Sequence, residues 1–145
     1  FPIKVSELAV AQEDNTGFLE PGDIFTPRQL MYSALIESSN DAAFALTEPL
    51  TENGFVALMN LKAQSLKMEN TLFKNPTGLD EDNVNYSTAQ DLAILGKYIA
   101  KKPEIMKIIS QKEYPLYLDS GILHHNLINT NELLGEIPEI LGGHF

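Results

Sequence analysis

The sequence predicts a mostly helical α+β unit with a β-hairpin near its C-terminus. Two observations point to helices and a third to the hairpin. Thr26-Pro27-Arg28-Gln29 and Ser87-Thr88-Ala89-Gln90 each set a glutamine three residues after a hydroxyl, the signature of a capping box. Behind each box, apolar residues recur at three- and four-residue intervals, which places them on one face of a helix. From Glu113 onward the apolar period drops to two and is interrupted by Asp119-Ser120-Gly121, the pattern of two strands and a turn. With 145 residues and no linker-like stretch, the chain reads as a single domain, 1–145.

Taken in order, residues 1–10 read as a short strand around Ile3-Lys4-Val5. A loop follows over 12–23, carrying the turn formers Asn15, Gly17, Pro21 and Gly22. Thr26 is placed as an N-cap with Pro27 at the first helical position, and Leu30, Met31, Ala34 and Leu35 set the buried face. Glu37-Ser38-Ser39-Asn40-Asp41 cannot continue an apolar stripe, so this helix ends there and a second starts near Asp41, carrying Ala42, Ala43, Ala45 and Leu46 until Pro49. A third helix spans 52–67, with Phe55, Leu58, Met59, Lys62 and Leu66 in period. Asn75-Pro76-Thr77-Gly78 marks a turn. The second capping box opens a helix to about residue 101, with Leu92, Leu95 and Ile99 on one side, and Pro103 restarts a short helix through 109. In the hairpin, Tyr114, Leu116 and Leu118 alternate before the turn and 122–128 return. A helical turn near Glu132-Leu133-Leu134 and the pair Gly142-Gly143 close the chain.

Charge excludes whole classes of partner. Twenty acidic residues against 10 basic ones leave a formal net charge of -10. Such a surface repels phosphate backbones and anionic lipid heads, so no nucleic acid and no membrane surface is expected as a partner. The densest basic cluster is Lys101-Lys102, which suits a helix C-terminus facing its own dipole. There are no cysteines, hence no disulfides and no thiolate chemistry. No run approaches the ~18 apolar residues of a membrane span, and the N-terminus lacks the pattern of a signal peptide.

Among residues able to carry chemistry, Ser38-Ser39-Asn40 stands out. Two hydroxyls and an amide at a helix junction could line a cleft, but on pattern alone Ser39 or Asn40 is better read as the N-cap of the next helix. His124-His125 suggests a metal site, but neighbours in a strand point to opposite faces, so the pair is expected as solvated hairpin residues. The acidic run 80–83 lacks the glycine and terminal glutamate of a calcium loop and is expected to be solvated. Met59 and Met68 are expected in the core, and Tyr114 and Tyr117 in cross-strand packing. No metal and no cofactor is expected.

The segment from Leu35 to Ala43, with Ser38-Ser39-Asn40 at its centre, resembles the second active-site motif of the low-molecular-mass penicillin-binding proteins, the serine D-alanyl-D-alanine carboxypeptidases. The likeness continues through Phe55 to Asn60, Lys67 to Thr71, Phe73 to Asp80, Tyr86 to Ala93 and Asn129 to Gly135, in this order. It implies the helical subdomain of the penicillin-binding-protein/β-lactamase-like fold, with the central sheet largely missing. The family works with Ser-x-x-Lys, Ser-x-Asn and Lys-Thr-Gly, the first serine attacking the peptide carbonyl with its lysine as candidate base. By resemblance, the Ser38 hydroxyl relays a proton toward the leaving group, and the Asn40 amide holds substrate and the catalytic lysine. The implied partners are the D-Ala-D-Ala stem peptide of peptidoglycan and β-lactams, and the implied location is extracytoplasmic, at the cell envelope or in the periplasm.

Two departures qualify the likeness. No serine is followed three positions later by lysine (Ser65 has Met68 there), and no Lys-Thr-Gly occurs; Gly142-Gly143 precedes His144-Phe145 where that motif is expected. The chain by itself is therefore expected to hydrolyse nothing and to form no penicillin adduct. The alternative is a non-catalytic peptidoglycan- or protein-binding module that retained this subdomain. A β-lactamase relative fits less well, since Asn75-Pro76-Thr77-Gly78-Leu79 follows the carboxypeptidase pattern and offers no glutamate to activate water. Helices that lack their sheet should expose an apolar face, so self-association is expected.

Overall fold

The computed structural model describes residues 1–14, 16–80 and 84–137. The acidic run beyond Asp80, the Gly142-Gly143 pair and His144-Phe145 lie outside the described residues. The elements are β1 (Ile3–Lys4), α1 (Glu7–Val10), β2 (Ile24–Phe25), α2 (Pro27–Ile36), α3 (Asn40–Ala45), α4 (Glu52–Ser65), α5 (Ala89–Ile99), α6 (Pro103–Ile109), β3 (Glu113–Tyr117) and β4 (Leu123–Ile128). Among the described residues, the strands form two separate antiparallel pairs, β1–β2 and β3–β4.

The capping box at Thr26 closes in both directions. The Thr26 hydroxyl accepts the Gln29 N–H at 3.3 Å, and Gln29 Oε1 accepts the Thr26 N–H at 2.8 Å. Started this way, α2 runs through the centre of the molecule and touches α3, α6 and both strands of the hairpin. Its buried set is Leu30, Tyr32, Ser33 and Ile36, with Met31, Ala34 and Leu35 partly covered, so the stripe is wider than the spacing alone indicates. Ile3 and Phe25 reach this core from the N-terminal strands, Val5 from just after β1, and Leu116 and Leu127 from the hairpin. Each such side chain contributes about 1.5–3 kcal/mol by leaving water. Tyr114, paired across the hairpin with Leu127, also stacks on Tyr32 of α2 with ring centroids 4.0 Å apart, and Tyr117, paired with Leu123, is 41% exposed.

Several expectations are corrected in detail. Residues 7–10 form one helical turn, not extended chain, because the Ser6 hydroxyl accepts the Ala9 N–H at 3.1 Å and Ala9 is buried. Helix α3 stops at Ala45, before Pro49, where Thr47 and Glu48 donate to carbonyls three residues back and tighten the chain into turns. At the second predicted box the N-cap is Thr88, whose hydroxyl accepts the Asp91 N–H at 3.2 Å. Ser87 is drawn off to Thr71, 2.7 Å away, so the frame moves by one residue. Met68 is buried as expected, whereas Met59 lines a surface groove. Among the described residues, no helix is long and apolar enough to cross a membrane.

The hairpin holds the largest correction. Pairing steps from Leu116–His125 to Tyr117–Leu123, leaving His124 at an irregularity in the ladder. Strand alternation lapses there, and the two imidazoles come to face each other with Nδ1 atoms 2.7 Å apart. Neither is solvated as expected: His124 is 14% and His125 22% exposed.

Candidate active site

The α2–α3 corner is built from backbone outward. Helix α2 is closed by Glu37, whose N–H donates to the Ser33 carbonyl at 3.3 Å. The chain then reverses at Ser38, which sits in the left-handed region at φ 61. For a residue with a Cβ this conformation costs about 1–2 kcal/mol, and it is held by the residues that follow. Ser39 caps α3 by accepting the Ala42 N–H at 3.3 Å and donates its hydroxyl proton to the Asp41 carboxylate. Asp41 is fully buried and also accepts the N–H groups of Gly17 (3.2 Å), Leu19 (3.2 Å) and Ala42 (2.9 Å). Its charge is thus met by dipoles from two chain segments, which fasten the 16–19 loop against the start of α3. Gly17 has to be glycine for a steric reason, since a Cβ there would run into the Ser39 hydroxyl and the Asp41 carboxylate.

Ser38, Ser39 and Asn40 line a pocket of about 150 Å³ together with Ala34, Leu35, Ala43, Pro76 and Thr77. Ser39 is the N-cap of α3 and, with Ser38 and Asn40, also borders this recess. The opposite wall is the Asn75–Leu79 turn. Asn75 Oδ1 accepts the Gly78 N–H (2.7 Å) and the Thr77 hydroxyl (3.3 Å), and its amide donates to the Leu79 carbonyl at 2.9 Å. Asn85 holds the start of this turn by accepting the Lys74 and Asn75 N–H groups at 2.6 and 3.1 Å. That this turn faces Ser38 was not read from the sequence; Asn-Pro-x-Gly announces a turn but not its neighbour. The Asn40 amide nitrogen is engaged, donating to the Glu13 and Asp14 carbonyls at 3.0 and 3.4 Å.

Wider concavities lie elsewhere. One of about 770 Å³ runs along α4 past Asn60, Lys67 and Glu69, but Asn60 is committed to the Phe73 backbone, to which it both donates and accepts at 2.8 Å. Another, of about 310 Å³, is lined by Phe55, Leu58, Met59, Leu66 and Phe73 and carries little polar chemistry. We therefore place the candidate site at the smaller pocket, where hydroxyls and an amide converge. Glu37 sits behind it, and burial pushes its carboxyl above the ordinary glutamate value, against hydrogen bonds from His125 and Ser33. Among the described residues, no group of three or more His, Asp or Glu is placed to hold a metal ion.

Comparison with known proteins agrees with this architecture. The sequence profile of the D-alanyl-D-alanine carboxypeptidase family matches residues 1–142. The D-alanyl-D-alanine carboxypeptidase DacF of Bacillus subtilis is 38% identical over 143 residues, 97% of this chain and 36% of that protein. The solved D-alanyl-D-alanine carboxypeptidase of Mycobacterium tuberculosis H37Rv superposes with a TM-score of 0.90 at 30% identity, covering 99% of this chain and 55% of that one. The Streptomyces K15 DD-transpeptidase superposes at 0.85 with 26% identity, covering 99% and 60%. The fold is thus the helical α+β portion of the penicillin-binding-protein class. The chain belongs to the D-alanyl-D-alanine carboxypeptidase family, and it spans between about a third and three-fifths of the length of these relatives.

Proposed function

We propose that this chain supplies the Ser-x-Asn wall of a serine D-Ala-D-Ala carboxypeptidase that trims peptidoglycan stem peptides at the cell envelope through an acyl-serine intermediate. In this reading the Ser38 hydroxyl carries a proton to the departing D-alanine, and the Asn40 amide orients the substrate and the catalytic lysine. The observation that carries it is the backbone of Ser38: a non-glycine residue held at φ 61 on the rim of a small polar pocket, the kind of position where local strain accompanies function. Asn40 must exchange its contacts with Glu13 and Asp14 for substrate. The same stem peptides and the β-lactams that imitate them are the proposed ligands of the whole enzyme.

Acyl transfer needs a nucleophile, and no Ser-x-x-Lys stands in these 145 residues. The chain alone is expected to gain no mass on incubation with a β-lactam; a stoichiometric adduct in the intact mass spectrum would refute this. In a longer product carrying Ser-x-x-Lys, Ser38→Ala should slow acylation about 10²–10⁴-fold, the usual worth of a placed proton donor. An unchanged rate would remove Ser38 from the mechanism.

The engagement of the Asn40 amide favours a second reading, a non-catalytic module that binds peptidoglycan peptides or a protein. Calorimetric titration with a D-Ala-D-Ala peptide separates the two: saturable binding by the chain alone supports the module, and no heat supports the Ser-x-Asn wall of a carboxypeptidase. Leu58 and Leu61 stand 52% and 59% exposed on α4, which supports self-association of the isolated chain. A sharp monomer boundary in sedimentation velocity would end that idea.

A further inference from the structure

The C-terminal ends of α4 and α5 bring two ammoniums onto one phenol. Lys62 Nζ stands 5.4 Å and Lys102 Nζ 4.7 Å from the centre of the Tyr98 ring, and Lys62 also donates to the Tyr98 hydroxyl at 3.5 Å. Lys97 and Lys101 flank Tyr98 in the same stretch of chain, and all four lysines are exposed. Among the described residues none of the four is ion-paired. Glu104, the acid nearest to Lys102 in sequence, is drawn to Arg28 at 2.8 Å, and Lys112 pairs with Glu136. Four of the ten basic residues thus stand together without a carboxylate partner, on a chain that carries twenty acids.

A helix C-terminus attracts lysines on its own account, because its unpaired carbonyls carry partial negative charge. These two ammoniums are turned elsewhere. Among the described residues neither donates to a terminal carbonyl; Lys62 donates to the phenol, and both stand over its ring. Two like charges gathered at one ring repel each other, a cost that a bound anion removes. Their field already draws the Tyr98 hydroxyl below the usual tyrosine value, through hydrogen bonding from Lys102 and then Lys62. The Tyr98 O–H finds no acceptor among the described residues, so two ammoniums and a hydroxyl converge as donors. The formal charge of -10 opposes a long polyanion. At physiological salt, however, exposed charges are screened beyond about 8 Å, so the local cluster decides for a short one.

We propose that Lys62, Tyr98 and Lys102, with Lys97 and Lys101 beside them, bind a short anion carrying adjacent phosphate groups. A phosphate presents oxygens on several sides and can accept from both ammoniums and the phenol at once, whereas a planar carboxylate offers two oxygens. Lysine holds phosphate as a point charge and needs no fixed fork geometry. One phosphate takes the place beside the ring, and its neighbour reaches the flanking lysines. The site belongs to α4 and α5, whereas the Ser38 pocket is lined from α2, α3 and residues 76–77. The inference therefore does not rest on the reading of Ser38 and Asn40.

The test is titration of the chain with sodium tripolyphosphate, followed by NMR of the Tyr98 ring and of the amides of Lys62, Lys97, Lys101 and Lys102. Inorganic phosphate and citrate form the two other arms. Saturable shifts confined to these residues are expected with tripolyphosphate. It should bind about ten-fold tighter than inorganic phosphate, because its second phosphate binds intramolecularly. Citrate separates phosphate from carboxylate chemistry and should bind more weakly than tripolyphosphate. Lys62→Gln and Lys102→Gln should each weaken binding about 2–5-fold, the usual worth of one exposed ion pair. Lys112→Gln, whose lysine is paired with Glu136 elsewhere, should leave binding unchanged. Exposed substitutions of this kind leave the fold intact, and Lys102→Glu, which reverses the charge, stands in where one variant folds poorly. Absence of saturable binding, citrate as tight as tripolyphosphate, or full affinity in both lysine variants overturns the inference. Shifts scattered over the remaining lysines overturn it as well.

Discussion

The α2–α3 corner and the α4–α5 region are both helical and both well capped, yet they are held in opposite ways. At the corner, α2 and α3 bury seven residues between them, and Asp41 alone gathers donors from the 16–19 loop, from Ser39 and from Ala42. Helix α4, with 14 residues, buries only Ala63, and α5 buries only Asp91. Caps at Thr51 and Thr88 start these helices, but caps do not bury apolar surface. Helix formation and helix anchoring are separate physical events, and most anchoring comes from packing. The corner is over-determined, which is what lets it hold Ser38 in a costly conformation.

The comparison can be broken most forcefully at Asp41. Asp41→Ala leaves buried N–H groups of the 17–19 segment without acceptors and should cost about 3 kcal/mol or more, read as a lowered urea midpoint. Gly17→Ala should follow it closely, at about 1–3 kcal/mol from overpacking against the same carboxylate. The contrast sharpens with one leucine from each region. Leu30→Ala in the buried corner should cost about 2–5 kcal/mol, while Leu61→Ala on exposed α4 should stay within about 0.5 kcal/mol. Equal costs would mean that α4 is covered in solution.

The smallest effect concerns pH. Burial raises the Glu37 carboxyl above its ordinary value of 4.5, so between that value and the raised one the native state binds more protons than the unfolded chain. Stability should therefore fall as pH rises through this interval. Glu37→Gln removes the titrating group and should flatten that part of the profile. Denaturant midpoints at closely spaced pH values read both, and an unchanged slope in the variant would place the proton elsewhere.

Much of the fold was legible because its signals are local. Thr26, Pro27 and Gln29 act within one helical turn, Pro103 acts on its own backbone, and the alternation from Glu113 acts between adjacent residues, so each could be read without knowing what surrounds it. The box at Ser87 misled for the same reason in reverse. Either Ser87 or Thr88 suits the cap, and a partner 16 residues away, Thr71, takes the Ser87 hydroxyl. Ser38 and Asn40 were legible as a motif, but not the Asn75–Leu79 turn that closes their pocket, nor the Glu13 and Asp14 carbonyls that engage Asn40.

By itself, then, the sequence determined most of the helix starts, the hairpin and the family, since all of these follow from neighbouring residues or ordered motifs. Tertiary structure decided where long-range groups meet. It turned Asp41 into the hub of the corner, and it used one irregularity in the hairpin to bring His124 and His125, which strand alternation would separate, together beside Asp23 and Glu37. The reason is physical: hydrogen bonds depend on distances of about 3 Å, and distances between segments far apart in sequence are set only when the core packs.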